Sequence, residues 1–213
     1  MESQKRAAAA QAAGYFKGQI VPITFQTKKG DVVFDTDEHL KPGTTMDSLA
    51  KMKPAFKKDG SVTAGNASGI NDAAAFLVLA DAAKAAAGGH KPIARLVAYG
   101  IGGVPNEIMG EGPIPSSKIA LANAGLKLDQ IDVIESNEAF AAQSIAVLKG
   151  LGLDPKKTNP NGGAIALGHP VGATGAVIVT KLLHEMQRTN ARYGMATMCI
   201  GGGQGITTIY ERV

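Results

Sequence analysis

The sequence predicts an α/β layered fold, and three observations carry that expectation. Short apolar runs enriched in Val and Ile alternate with longer helix-forming runs through the second half of the chain. Hydrophobic residues make up 45% of the 213 residues and charged residues 19%, with mean hydropathy near zero, the composition of a globular chain with a sizeable core. Glycine is over-used, 27 in all, and clusters at Gly100 to Gly103, Gly162 to Gly175 and Gly201 to Gly205, where the backbone must turn or let something approach closely.

Taken in order, residues 3–13 are strong helix formers that stop at Gly14, a suitable C-cap, ahead of the apolar stretch Ile20-Val21-Pro22-Ile23, read as a strand. From Lys28 to Gly60 the chain is polar and turn-rich, with a short strand at Val32-Val33-Phe34 and a short helix over 47–52. Asn71 has the chemistry of an N-cap for a helix over 72–87, whose Ala, Phe, Leu and Val occupy nearly every face. A helix apolar all round is a buried helix, and left uncovered it would be a patch for association. Pro92 opens a core strand over 93–101. After it come a helix at 116–124, a strand at 132–135, a helix at 138–149, a Gly-rich loop, a helix at 172–188 and strands at 192–199 and 205–210. The last two strands, joined through Gly201-Gly202-Gly203, read as a hairpin at the sheet edge.

The formal charge of +4 comes from scattered Lys and Arg, which reads as a solvated surface, with an anionic ligand as the sharper alternative. Nucleic acid is not an expected partner: aromatics are 5%, Trp is absent, and no zinc, RNP or helix-turn-helix signature occurs. A single cysteine excludes an internal disulfide and a cysteine-rich metal site, so no metal is expected and a cytoplasmic setting fits. No window has transmembrane length and the first residues carry no signal-type apolar region, so no membrane partner is expected; Glu2 and the Ala spacing read as a surface helix rather than a transit peptide.

Three segments could carry chemistry. Asn137 and Glu138 follow the apolar strand Ile131-Asp132-Val133-Ile134, at the strand end where open α/β sheets bind ligands; Asn137 could equally cap the next helix. His169 lies in a run of glycines and is followed by Pro170, which would hold an imidazole on a tight turn; a loop histidine without chemistry, or a phosphate-cradling loop, are the alternatives. The run lacks the Gly-Lys-Ser/Thr ending of a nucleotide-triphosphate loop. Cys199 ends a strand before Ile200-Gly201-Gly202-Gly203; a lone cysteine is commonly an inert small hydrophobe, but free backbone N–H groups at that turn would lower its pKa and supply oxyanion donors.

Asn137-Glu138-Ala139-Phe140-Ala141, Gly168-His169-Pro170 and Cys199-Ile200-Gly201-Gly202-Gly203-Gln204-Gly205 resemble, in order and approximate spacing, three segments of the thiolases, the acyl-CoA:acetyl-CoA acyltransferases. A fourth stretch, Thr63 to Asp72, resembles the thiolase segment that meets coenzyme A, and the resemblance covers essentially the whole chain. It implies a thiolase-like layered α/β/α fold: residues 1–71 part of a loop domain, 72–92 a helix and connection belonging to a first core domain, and 93–213 a complete second core domain. It further implies that His169 lowers the pKa of a nucleophilic cysteine and helps hold the thioester oxygen, with Asn137 positioning a water for the same oxyanion site. Cys199 would exchange the α-proton of acetyl-CoA and the amide of Gly201 would serve a second oxyanion hole. Preorganised donors of this kind are worth about 3 kcal/mol each.

The same resemblance places coenzyme A, a substrate rather than a tightly bound cofactor, along Ala64, Ala67, Ser68, Met109, Ala139 and Phe140, with Lys41 and Ser48 near its phosphates or adenine. Lys41 offers a point charge where an arginine would offer a fork. Thiolases also carry an acyl group on a cysteine in their amino-terminal half, and this sequence has no second cysteine for that step. The expectation is a chain inactive alone, assembling as a homo-oligomer or with a missing amino-terminal half. The alternatives are a non-catalytic acyl-CoA binding or assembly module and a ketosynthase-like condensing enzyme, whose usual His-His arrangement fits less well than Asn137 with His169.

Overall fold

The computed structural model describes all 213 residues. In chain order the elements are α1 (Glu2–Ala12), β1 (Ile23–Thr27), β2 (Gly30–Phe34), α2 (Met46–Ala50), α3 (Ala82–Ala87), β3 (Ala94–Gly103), α4 (Pro113–Ala124), β4 (Val133–Ser136), α5 (Ala141–Leu151), α6 (Ala164–Leu167), α7 (Thr174–Thr189), β5 (Tyr193–Ile200) and β6 (Gln204–Arg212). The helix stops follow local rules. Pro113 opens α4 where its missing N–H costs nothing, and α4, α5 and α7 end on left-handed Gly125, Gly152 and Asn190.

The main sheet has strand order β3-β6-β5-β4, with β6 antiparallel to both neighbours and β4 parallel to β5. Side-chain alternation along the strands sends residues to two faces. Ile134, Met195 and Ile209 join Ala120 of α4 and Val147 of α5 in one cluster; Val133 and Ala196 join Ile178, Val179, Leu182 and Met186 of α7 in the other. The sheet is therefore sandwiched between α4/α5 and α7, the layered α/β arrangement expected. Glycines in β3 permit the close approach of α4: a Cβ at Gly100 or Gly102 would run into the backbone at Ser116 or Pro115. At that contact Thr207 Oγ1 sits 2.8 Å from Ser116 Oγ, 3.0 Å from Ser117 Oγ and 2.7 Å from Thr197 Oγ1, a buried hydroxyl cluster in which the four residues satisfy one another.

Two expectations fail. The hairpin β5–β6 is not at the edge; β6 lies between β3 and β5, and the edges are β3 and β4. Strand order depends on long-range pairing, and the hairpin sequence is the same in either place. The helix expected over 72–87 forms only at Ala82–Ala87, capped by Asp81, whose Oδ1 accepts from the N–H of Ala83 and Lys84. Residues 72–80 have no regular structure and make no backbone hydrogen bond to any part of the chain. An uninterrupted apolar run fits a strand buried on both faces as well as a buried helix, and periodicity cannot separate them.

Candidate functional site

β4 and β5 run parallel with Ser136 opposite Thr197, so their carboxyl ends deliver Asn137 and Cys199 to the same rim of the sheet, and the Asn137 N–H donates to Thr197 O at 3.0 Å. The helix after Asn137 starts at Ala141 with Phe140 as N-cap and no side-chain cap, so the capping role for Asn137 is excluded. Instead its Nδ2 lies 3.4 Å from Nε2 of His169. The Asn137 side chain is 2% exposed, and its Oδ1 is buried without a hydrogen-bond partner.

Residues 66–71 form a strap across the site. Ala67 bridges Phe140, the N–H and hydroxyl of Ser68 both donate to Ala139 O at 3.0 Å, and Ala141 N–H donates to Asn66 O at 2.9 Å. Further along, Ile70 bridges His169, whose N–H donates to Gly69 O at 3.0 Å and to Asn71 Oδ1 at 3.3 Å. The strap thus brings Ala67 and Ser68 beside Ala139 and Phe140, with Ala64 just before it in the chain, and Asn71 serves the histidine turn rather than a helix start. On the other side of the turn His169 Nδ1 lies 2.7 Å from Thr174 Oγ1, the first residue of α7. Burial lowers the His169 pKa below its ordinary value, favouring the neutral ring.

Cys199 is buried at 7% exposure and lines an open cleft of about 270 Å³ with Met109, Ala139, Phe140 and Gln143. Burial pushes its thiol pKa up, and its backbone N–H lowers it by less, so the activated thiol expected from the glycine turn is corrected to one that holds its proton. Gly201 opens the turn two residues beyond, exposed, with open space around its α-carbon. Lys41 and Ser48 stay in the exposed excursion outside this cleft. The Ser48 hydroxyl is engaged locally, capping α2 with Thr45, and the Lys41 N–H donates to Gln4 Oε1 at 2.8 Å.

Glu138 was singled out beside Asn137, but its contacts, like the role of Phe56, were not legible from single residues. Glu138 accepts from Ser3 Oγ at 2.6 Å, Asn159 Nδ2 at 3.2 Å and Ile165 N–H at 3.3 Å, tying α1 and α6 to the Asn137 turn. Phe56 packs edge-to-face with Phe140 at 6.0 Å between ring centroids, from outside the residues that line the cleft. A lone Phe in a polar excursion was the available signal. A second cleft, about 330 Å³, runs along α1; of its cations Arg6 is engaged by Glu2 and Thr158 O and Arg188 by Glu185 and the Tyr15 ring, while the Lys5 ammonium has no partner.

Parallel strand ends carrying Asn137 and Cys199, a histidine turn and a strap of small residues meet at this rim, and the chain belongs to the thiolase family: the family model "Thiolase, C-terminal domain" matches residues 90–212 and "Thiolase, N-terminal domain" matches residues 1–83. It is similar to the beta-ketothiolase BktB of Cupriavidus necator, 59% identical over 214 residues, and to an acetyl-CoA acetyltransferase of Escherichia coli, 54% identical over 213 residues. All of this chain aligns in both cases, but only 54% of each relative, so the chain spans about half the length of the curated relatives it matches. Among solved structures it resembles the Bacillus anthracis acetyl-CoA acetyltransferase (TM-score 0.96, 48% identity, 99% of this chain and 54% of that one). It also resembles human mitochondrial 3-ketoacyl-CoA thiolase in complex with CoA (TM-score 0.91, 44% identity, 100% of this chain and 53% of that one).

Proposed function

We propose that this chain supplies the proton-transfer and oxyanion side of a thiolase acyl-transfer centre, acting on acyl-CoA thioesters, and that the acyl-carrying thiol comes from elsewhere in the assembled enzyme. The observation that carries this reading is the convergence of Asn137, His169 and Cys199, from three distant segments, around one rim of the sheet. In the condensing direction Cys199 gives its proton to the coenzyme A thiolate that leaves as the acyl group is loaded, and the resulting thiolate takes the α-proton of an acetyl thioester; the enolate oxygen is held by His169 and by a water on the Asn137 amide. The new carbon–carbon bond forms at an acyl thioester carbonyl and expels the acyl-carrying thiolate. A thiol with a raised pKa is a strong base once deprotonated, which suits abstraction of a weakly acidic C–H proton. The Asn137 amide oxygen, buried without a protein partner, keeps its lone pairs for a water that enters when the pocket opens to substrate.

The strap and the Cys199 cleft are the proposed path of the pantetheine arm: Ala64 and Ala67 leave room for a narrow chain, and Met109, Ala139 and Phe140 provide apolar walls. Ser68, whose proton is spent on Ala139 O, keeps lone pairs for an amide N–H of the ligand. Lys41 and Ser48 are proposed for the nucleotide end from the resemblance alone. Residues 1–71, 72–92 and 93–213 are proposed as the loop-domain part, first-core part and second core domain.

The pure chain is expected to give no thiolysis of acetoacetyl-CoA, and turnover is expected when it is reconstituted with a thiolase amino-terminal half carrying the nucleophile, then lost in Cys199→Ala. Thiolysis by the chain alone that depends on Cys199 overturns the division of labour. Tight calorimetric binding of coenzyme A with no turnover on reconstitution would instead identify a binding module.

A further inference from the structure

Around His169 the hydrogen-bond directions are constrained. Thr174 Oγ1 lies 2.8 Å from Pro170 O and 2.7 Å from His169 Nδ1. A hydroxyl has one proton and two lone pairs. Two oxygens 2.8 Å apart with no proton between them repel, so the Thr174 proton lies on the line to Pro170 O. The hydroxyl then faces Nδ1 with a lone pair, and Nδ1 must carry the ring proton. The far nitrogen is compatible with this: Nε2 lies 3.4 Å from Nδ2 of Asn137, and an unprotonated Nε2 can accept from that amide. The opposite tautomer would set lone pair against lone pair at neither end only if Thr174 abandoned Pro170 O and the Asn137 amide turned over.

We propose that Thr174 is a positioning residue that fixes neutral His169 as its Nδ1–H tautomer, leaving the Nε2 lone pair on the Asn137 side as the proton-accepting position. The hydroxyl is buried, Thr174 being 2% exposed, so no bulk water competes for Nδ1 on that side. The helix start holds it in place: the N–H groups of Ala173 and Thr174 both donate to Pro170 O at 2.8 Å, so the turn that carries the histidine also carries its orienting group. With the tautomer set, protonation of His169 adds a proton only at Nε2. The ring then changes from acceptor to donor on the face next to Asn137, which is what alternating between a thiol partner and a thioester oxygen requires. The positioning role rests on the reading of His169 given above, whereas the tautomer itself does not.

The test is a long-range proton–nitrogen correlation spectrum of the full chain labelled with ¹⁵N-histidine, at about pH 8 where an ordinary histidine is neutral. His169 is assigned by its loss in His169→Gln. The expected spectrum has a protonated Nδ1 and a bare Nε2 for His169, retained in Thr174→Ser and shifted toward the Nε2–H form in Thr174→Val and Thr174→Ala. Unmoved signals of His39, His90 and His184 report that the fold is kept. A bare Nδ1 in the unsubstituted chain overturns the proposal without any variant, as does an unchanged Nδ1–H spectrum in a folded Thr174→Val. Neither outcome touches the thiolase reading, which stands or falls on reconstituted turnover.

Discussion

At the residue scale the site is a set of titratable groups whose surroundings set their charge. Burial lowers the pKa of His169, and of His184 on α7, so the folded chain resists protonating both. As pH falls below the ordinary histidine value near 6.5, the unfolded chain binds protons first, and stability drops until the folded-state pKa values are passed. The contribution is therefore intact above about pH 6.5 and lost on acidification. Replacing His169 with Gln should shrink the difference between urea midpoints measured at about pH 7.5 and pH 5.5, as should His184→Gln. An unchanged pH difference in both variants would show that these rings titrate alike in folded and unfolded chains. Cys199 carries a different lesson. The glycines after it suggested an activated thiol, yet a cysteine at the end of a buried strand is first a desolvated thiol. What a glycine turn does to pKa depends on where its N–H groups point, which residue order does not specify.

At the scale of elements, one ion pair joins the central sheet to its covering helix. Lys181 of α7 donates to Glu135 of β4 at 2.7 Å and to Gly162 O at 2.6 Å, and both side chains are buried. Burial raises the Glu135 pKa against the pull of Lys181, and its Oε1 has no partner. Removing only the cation leaves a carboxylate stranded in the core, at a cost of about 3–5 kcal/mol. Lys181→Met should therefore lower the urea midpoint strongly, while Lys181→Met with Glu135→Leu recovers most of the loss; a double variant no more stable than the single one contradicts this account. Lys181 was legible in one respect, since it falls on the stripe of α7 that buries Ile178, Leu182 and Glu185. The elements themselves were mostly legible from alternating apolar and helix-forming runs, but their limits were not: the helix expected at 116–124 begins at Pro113 and the one expected at 138–149 runs Ala141–Leu151. Nor was the run 72–80, because its register of apolar residues fits two structures, and the choice is made by neighbours rather than by the run. The site was legible only as three segments in register: Asn137 alone read as a cap, and Thr174 and Asn71 gave no sign of their contacts with His169 until the turn was folded.

The whole molecule exposes more surface than its mass warrants. Its accessible area is 12,493 Å², whereas a compact monomer of 21.8 kDa exposes roughly 9,300 Å². The excess, about 3,000 Å², is of the size that obligate interfaces bury. Much of it is apolar and contiguous in sequence: Ile70 is 96% exposed, Phe76 89%, Val78 100% and Leu79 75%, over a backbone that makes no hydrogen bonds from 72 to 80. The hairpin β1–β2 is likewise exposed along both strands, with the rings of Phe25 and Phe34 6.5 Å apart and both open to solvent. An unpaired apolar segment of this kind recruits another chain, because pairing satisfies its backbone and burial removes its side chains from water. Sedimentation velocity on the pure chain should show mass rising with concentration over the micromolar range. Phe76→Lys with Val78→Lys should weaken that association several-fold while leaving the core and the spectrum of His169 unchanged, since neither residue packs into the two core clusters. A chain that sediments as a monomer at every concentration, with or without the lysines, would mean that residues 72–80 find cover within the chain itself.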